Sequence, residues 1–245
     1  MANTADDPRA TDGAAVMPHA IISYDDTLSD RDALALGRVL ADAGTRLTLA
    51  YIRHTTQTEQ VIEELEENEA QALLERGADR LGVREVSLRI VVSGSTGEGL
   101  TRLAREEAAD LVVFGSDYRT AAGHLSPQHT TRFLLEGGSA AVALAPAGYH
   151  GAGTPKVARI GVFDDSGDRA ATQTAQGLAE SLQAELVSDR RQIDLLVIAS
   201  RHEAPPGQVM LTARALKQIE DASCPVIVLA RSVPIEFGAP VAASS

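Results

Sequence analysis

Short apolar runs alternate along this chain with longer stretches in which apolar residues recur every three or four positions. That is the pattern of strands alternating with amphipathic helices. His19–Tyr24 predicts a first strand, closed by Asp25-Asp26-Thr27. Ser29, with Asp32 three residues on, predicts a helix N-cap. The helix carries Ala33, Leu36, Gly37 and Leu40 on one face, and Gly44 stands where a left-handed glycine ends such a helix. Leu47–Ile52 predicts a second strand. Thr56 and Glu59 predict a capping box ahead of an acidic helix that runs to about Arg80, with Val61, Ile62, Leu65, Leu73 and Leu74 as its apolar stripe. Val86–Val92 predicts a third strand, closed by Gly94 and Ser95, and Ser95 with Glu98 caps a helix over Leu100–Ala108. Asp110–Ser116 is a near-continuous apolar run, as in a buried parallel strand. Ser126-Pro127 predicts an N-cap with proline at the first helical position, for a helix carrying Phe133, Leu134 and Leu135. Ala140–Ala145 predicts a last strand, stopped by Pro146. Strands joined by helices build right-handed crossovers and a parallel sheet covered on both faces. Residues 18–148 are thus expected to form a five-stranded doubly wound α/β domain.

The pattern then recurs in shorter form. Ile160–Ser166 echoes Ile21–Thr27, Asp194–Ser200 echoes Asp110–Ser116, and Pro225–Ala230 echoes Ala141–Pro146. Gly115 to Val142 and Ala199 to Val226 are both 27 residues apart. From Asp25 to Gly115 is 90 residues, but from Asp164 to Ala199 only 35, so the second copy lacks about one helix, one strand and their surroundings. A unit that small buries little core alone, and it is expected to pack on the first. The expected organisation is a disordered tail over 1–17, a first domain over 18–148, a linker over 149–156, a truncated second domain over 157–232 and a tail over 233–245.

Composition narrows the function classes. Lys and Arg number 22 against 34 Asp and Glu, a formal net charge of −12. Such a surface does not replace counterions on nucleic acid or dock on anionic lipid. Aromatics are 3% and tryptophan is absent, so the core must be aliphatic. The one cysteine, Cys224, excludes an internal disulfide, and before Pro225 at the start of a buried strand it reads as inert packing. No run approaches the roughly 18 apolar residues of a membrane span, and the acidic N-terminus lacks the order of a signal peptide. A cytoplasmic location is expected, with neither nucleic acid nor membrane as partner.

The segments "YDDTLSDRDAL", "EEAADLVVFGS" with "RFLLEGGSAAVALAP", and "QIDLLVIAS" with "DASCPVIVLARS" resemble the universal stress protein family in its tandem form. The resemblance covers about 19–148 and 157–232. It implies a Rossmann-like, adenine nucleotide alpha hydrolase-like doubly wound parallel sheet in two copies, the second shortened. It also implies association through the last strands, edge to edge. Ala141–Ala145 and Val226–Leu229 could pair in that way within one chain as a pseudo-dimer, or between chains as a homodimer, since a bare aliphatic edge needs covering.

Family members that bind ATP carry Gly, two residues, Gly, nine residues, then Gly and Ser or Thr. Glycines let backbone N–H groups approach phosphates. Here Gly115 and Ser116 match the start, but Tyr118 takes the second glycine and Gln128-His129 the closing pair. In the second copy the equivalents are Ala199, His202 and Thr212-Ala213, with no glycine. By the same resemblance Asp25 stands near a ribose, Ile52 offers backbone to an adenine, and Phe114 precedes the first glycine. Gly94–Gly99 follows a strand and opens a helix without the Gly-x-Gly-x-x-Gly spacing, so Gly94 reads as a tight turn with a capping box or else as a secondary ribose or phosphate wall.

Two readings of Asp25 and Gly115 stand open. In one, Asp25 only accepts backbone N–H groups at a strand end and Gly115 only packs. In the other, the sheet's carboxyl edge holds a nucleotide or another anion, the usual place in open α/β sheets, with His129 as a donor. The expectation is a non-enzymatic regulatory or stress-response module without normal ATP binding, acting through a protein partner or a small ligand, with no catalytic residue, cofactor or metal. The alternative is an adenine-nucleotide sensor, ATP or AMP in the first-domain cleft, with slow hydrolysis.

Overall fold

The computed structural model describes residues 17–54, 60–152, 155–188 and 192–238. Nine strands form one sheet. They are β1 (His19–Ser23), β2 (Arg46–His54), β3 (Val86–Ser93), β4 (Leu111–Gly115), β5 (Ala141–Ala145), β6 (Arg159–Phe163), β7 (Glu185–Val187), β8 (Leu195–Ile198) and β9 (Val226–Val228). The helices are α1 (Leu28–Asp42), α2 (Gln60–Leu81), α3 (Thr96–Glu106), α4 (His129–Leu135), α5 (Arg169–Leu182) and α6 (Ala213–Asp221). The order across the sheet is β3-β2-β1-β4-β5-β9-β8-β6-β7. All neighbours are parallel except β5 and β9, which pair antiparallel through Val142–Val228, Ala143–Ile227 and Leu144–Val226.

Alternation along the strands assigns the two faces. Ala20 and Ile22 of β1, and Ala141, Ala143 and Ala145 of β5, face α1, α2 and α5. Ile21, Val142 and Leu144 face α3, α4 and α6. Leu36 and Leu40 of α1 are fully buried, each worth about 1.5–3 kcal/mol by the apolar surface it hides.

Several element boundaries differ from the sequence expectation for identifiable reasons. Helix α1 is capped by Thr27, not Ser29: the Asp30 carboxylate accepts the N–H of Thr27 at 2.8 Å and of Asp25 at 2.9 Å. Ser29 is inside the first turn, and Asp32 instead accepts the N–H groups of Gly148 and His150, 3.0 and 2.9 Å away, tying the 148–150 segment to α1. Helix α3 begins at Thr96, directly after its Ser95 cap, and not at Leu100. Helix α4 begins at His129 and not at Pro127. The Ser126 carbonyl accepts the Asp117 N–H at 2.9 Å, which holds the chain extended into Pro127. The Thr56–Glu59 capping box lies outside the described residues. The chain also stays packed past residue 232: Ile235 and Phe237 are buried under α5, and the Ile235 N–H reaches Thr174 Oγ1 at 2.8 Å.

The strand order β7-β6-β8-β9 repeats β2-β1-β4-β5, with no strand among the described residues in the place of β3. Ser116 Oγ donates to Ala145 O at 2.8 Å and accepts Ser126 N–H at 3.3 Å. Ser200, 84 residues on (200 − 116), donates to Leu229 O at 2.7 Å and accepts Met210 N–H at 3.1 Å. Asp110 accepts the N–H of His19 at 2.8 Å, and Asp194 that of Arg159 at 2.9 Å. Register corrects one echo by a residue. Ala20 pairs with Leu111 and Ile160 with Leu195, so the residue five beyond each is Asp25 in one unit and Asp165, not Asp164, in the other. Among the described residues no helix is long and apolar enough to cross a membrane.

Candidate functional site

Strand order reverses between β1 and β4, and a crevice opens at their carboxyl ends. Strand β1 ends by turning at Asp25 and Asp26 into the first turn of α1, while β4 ends at Gly115. Between them lies a cleft of about 540 Å³, walled by Asp25, Ser29, Asp30, Phe114, Gly115 and Gln128. Thr27 and Thr96 add hydroxyls, Thr130 follows from α4, and Tyr118 stands at the rim.

Gly115 is fixed by packing. A Cβ there would lie 1.9 Å from the Ser29 carbonyl oxygen, so α1 rests directly on the end of β4. Gln128 closes the far end. Its Nε2 lies 3.2 Å from Ser29 Oγ, 3.4 Å from Ser116 O and 3.5 Å from Gly115 O, donating across the gap between α1 and the β4 loop. Tyr118 does not fill the cleft. It is 68% exposed, with its hydroxyl accepting from Arg119 Nε at 2.7 Å and the guanidinium 5.0 Å from its ring centre.

The cleft is acidic. Among the described residues no lysine or arginine lines it, and two carboxylates do. Asp30 is pushed above the ordinary carboxylate range by burial, an effect countered by the Thr27 and Asp25 N–H groups it accepts. Asp25 reaches solvent at the mouth, yet the protein crowding its carboxyl pushes it up to about 6. Asp30 nearby raises it further and His54 opposes the rise. Among the described residues no side chain or N–H group hydrogen-bonds the Asp25 carboxylate. Asp30 performs the backbone-accepting role that the packing reading gave to Asp25.

Of the residues singled out by sequence, Asp25, Phe114, Gly115 and Gln128 line the cleft with Tyr118 at its rim, and Ile52, Gly94, Ser116 and His129 are not among its lining. Ile52 is buried against the position a Gly99 Cβ would take. Gly94 is exposed on the turn before α3, where Thr96 takes its place as cleft wall. Ser116 is buried and spends its hydroxyl on the β5 and loop backbone. His129 is exposed at the start of α4. The residues missed were Ser29 and Asp30. A first-turn position facing the point of strand reversal was the signal that could have found them. Among the described residues there is no cluster of three or more histidine, cysteine or carboxylate side chains suited to a metal.

The sequence profile of the universal stress protein family matches residues 19–143, half of the chain. The chain belongs to the universal stress protein family. Solved structures agree on the fold. A universal stress protein of Archaeoglobus fulgidus DSM 4304 superposes on 87% of this chain and 98% of its own with a TM-score of 0.64 at 10% identity. A Pseudomonas aeruginosa UCBPP-PA14 protein named as a universal stress protein superposes on 89% of this chain and 94% of its own, with a TM-score of 0.58 at 13% identity. A universal stress protein in complex with cAMP aligns with 41% of this chain and 77% of its own, with a TM-score of 0.36 at 22% identity. A search of curated proteins finds no match.

In this universal stress protein the two positions that depart most from the family's glycine pattern, 118 and 128, behave differently. The Tyr118 side chain leaves the cleft. The Gln128 side chain closes its far end.

Proposed function

We propose that this universal stress protein is a non-enzymatic regulatory module whose first-unit cleft does not cradle a triphosphate. One observation carries the reading. The Gln128 amide lies across the cleft where the family's phosphate glycine would leave open backbone, within 3.5 Å of Ser29, Gly115 and Ser116. Its donors are spent on the protein, and the lining supplies no cation while presenting two carboxylates. The residues present therefore do not fit a polyphosphate, and no hydrolytic step is derived through one. The repeated hydrogen bonds at Ser116 and Ser200 support reading the second unit as a shortened copy of the first. The β5–β9 pairing then takes the part of a dimer contact within one chain, leaving regulation to ligand or partner binding at the exposed faces.

Calorimetric titration tests this. The wild type gives no saturable heat with magnesium ATP at millimolar concentration and no time-dependent loss of ATP. Gln128→Gly alone gains measurable affinity, and adding Tyr118→Gly and His129→Ser improves it little, because those side chains already face solvent. Micromolar ATP binding by the wild type would overturn the proposal.

A second reading has its own observation. The Asp25 carboxylate has no hydrogen-bonding partner among the described residues and faces an open cleft, a position suited to the hydroxyls of a ribose without a phosphate chain. Adenosine or AMP binding that Asp25→Ala abolishes and Gln128→Gly leaves intact would establish it.

A further inference from the structure

A second cavity lies on the opposite end of the β5–β9 junction's helical face, between α4 and α6. It measures about 320 Å³, at the small end of the roughly 300–1,000 Å³ usual for small-ligand pockets. Its walls come in pairs 84 residues apart, one from each unit: Pro127 and Leu211, Leu135 and Ile219. The cavity is therefore lined from both sides of the β5–β9 pairing. Three other positions differ: Leu216 of α6 stands where α4 has Arg132, Arg201 where the first unit has Asp117, and Met210 where it has Ser126.

Those two arginines give the pocket its chemistry. Among the described residues the buried Arg201 Nε has no hydrogen-bond partner, and the one partner of the rest of the guanidinium is a thioether, Met210 Sδ, 3.6 Å from Nη2. A buried guanidinium N–H left without an acceptor is uncommon and marks a place where an acceptor belongs. Arg132 spends its Nε on the Pro127 carbonyl at 3.1 Å. Among the described residues no carboxylate lies within 4.0 Å of either guanidinium. The remaining walls, Leu135, Met210, Leu211, Leu216 and Ile219, are apolar. Glu136 and Glu220 also line the cavity from exposed positions, and Lys217 stands 3.9 Å from Glu220. The lining charge is balanced, which favours a single negative head over a dianion.

We propose that this cavity is a binding site for a small amphipathic monocarboxylate, its carboxylate received by Arg201 with Arg132 and its apolar body lying on Leu135, Met210, Leu216 and Ile219. A carboxylate meets the planar guanidinium fork with two parallel bonds, a geometry that a hydroxyl does not fill. Because the walls come from both units, the occupant touches α4 and α6 at once. The site is separate from the cleft at Asp25.

Decanoate is the probe, with decanol and decylammonium as controls, titrated calorimetrically into the full chain. The chain has three methionines, so a methyl-labelled methionine spectrum, assigned with Met210→Leu, reports occupancy at the site. The expected result is saturable decanoate binding that shifts the Met210 methyl, with decanol at least tenfold weaker and decylammonium weaker still. Arg201→Gln lowers decanoate affinity at least tenfold and leaves decanol unchanged. If the part-buried Arg201 variant misfolds, Arg132→Gln and Leu216→Asp, both at exposed positions, keep the test open. The first weakens decanoate alone and the second weakens both ligands. Equal binding of the three probes, preference for the ammonium, or a Met210 methyl that does not move on saturation overturns the proposal.

Discussion

The end of β4 and the end of β8 are built alike and finished differently. At the first, Gly115 lets the Ser29 carbonyl of α1 come within 1.9 Å of where a Cβ would be, and the Asp25 carboxylate beside it has no hydrogen-bonding partner among the described residues. At the second, Ala199 occupies the Gly115 position, and Asp165, which register places opposite Asp25, accepts the Thr212 hydroxyl at 2.8 Å. Thr212 is the counterpart of Gln128. It also caps α6, accepting the Ala215 N–H at 3.0 Å. The same scaffold position therefore carries a side chain that lines an open cleft in one unit and one that bonds the strand-end aspartate in the other. Polar groups at a strand end are satisfied from within in the second unit, with no change in strand order.

The largest test of that comparison is Gly115→Ala. Its new methyl meets backbone, which cannot rotate away, so the variant is expected to lose about 3 kcal/mol, seen as a fall of about 10 °C in thermal midpoint. A fall of under 3 °C would mean that α1 slides freely on β4, and the packing account of Gly115 would be wrong. Next comes Thr212→Ala, which removes the α6 cap and the Asp165 bond together and is expected to cost about 1.5 kcal/mol in urea unfolding. Ala199→Gly in the second unit is smaller, about 1 kcal/mol from added freedom of the unfolded chain. If Ala199→Gly proved as costly as Gly115→Ala, the two strand ends would not differ as described.

The sheet was legible because its strands are continuous apolar runs, and a buried parallel strand has few other ways to be written. The edge-to-edge pairing of the last strands came from the family resemblance, which left open whether it lay within one chain or between two; the β5–β9 ladder lies within one. Helix starts were less legible. Thr27, Ser29 and Asp30 are all competent caps, and only the backbone turn after β1 decides that Asp30 reaches back to Thr27. At Ser126-Pro127 the signal for a helix start was overruled by the Asp117–Ser126 hydrogen bond. In the candidate site, Asp25, Phe114, Gly115 and Gln128 could be found by resemblance. Ser29 and Asp30 could not, because polar residues in a first helical turn read as surface and here are buried by the approach of α1 to Gly115. The Asp164–Asp165 register slipped by one because two adjacent aspartates fit the echo equally well. Only the ladder of Ile160 on Leu195 separates them.

The smallest test asks whether Asp25 carries its charge at a cost, as a carboxylate without a partner should. Its carboxyl is pushed up to about 6 by the protein around it and by Asp30, against about 3.9 in an unfolded chain. Above pH 6 the group is ionised in both states, and only the native state bears the penalty. As pH falls from 6 towards 4 the native carboxyl takes up its proton first, so the penalty is relieved and this group's drag on stability disappears. Asp25→Asn removes the charge at every pH. It is therefore expected to be more stable than the wild type above pH 6, by about 0.5 kcal/mol given solvent screening at the cleft mouth. The gap should close by pH 4. Asp165→Asn leaves Thr212 an acceptor oxygen and should shift stability at pH 7 by less than about 0.5 kcal/mol. Urea unfolding of the three proteins across pH 4–8 reads both. A gap between Asp25→Asn and the wild type that stays constant with pH would show that the Asp25 carboxylate is solvated as freely as any surface aspartate, and the first unit's cleft would then hold no poised acid for a ligand to meet.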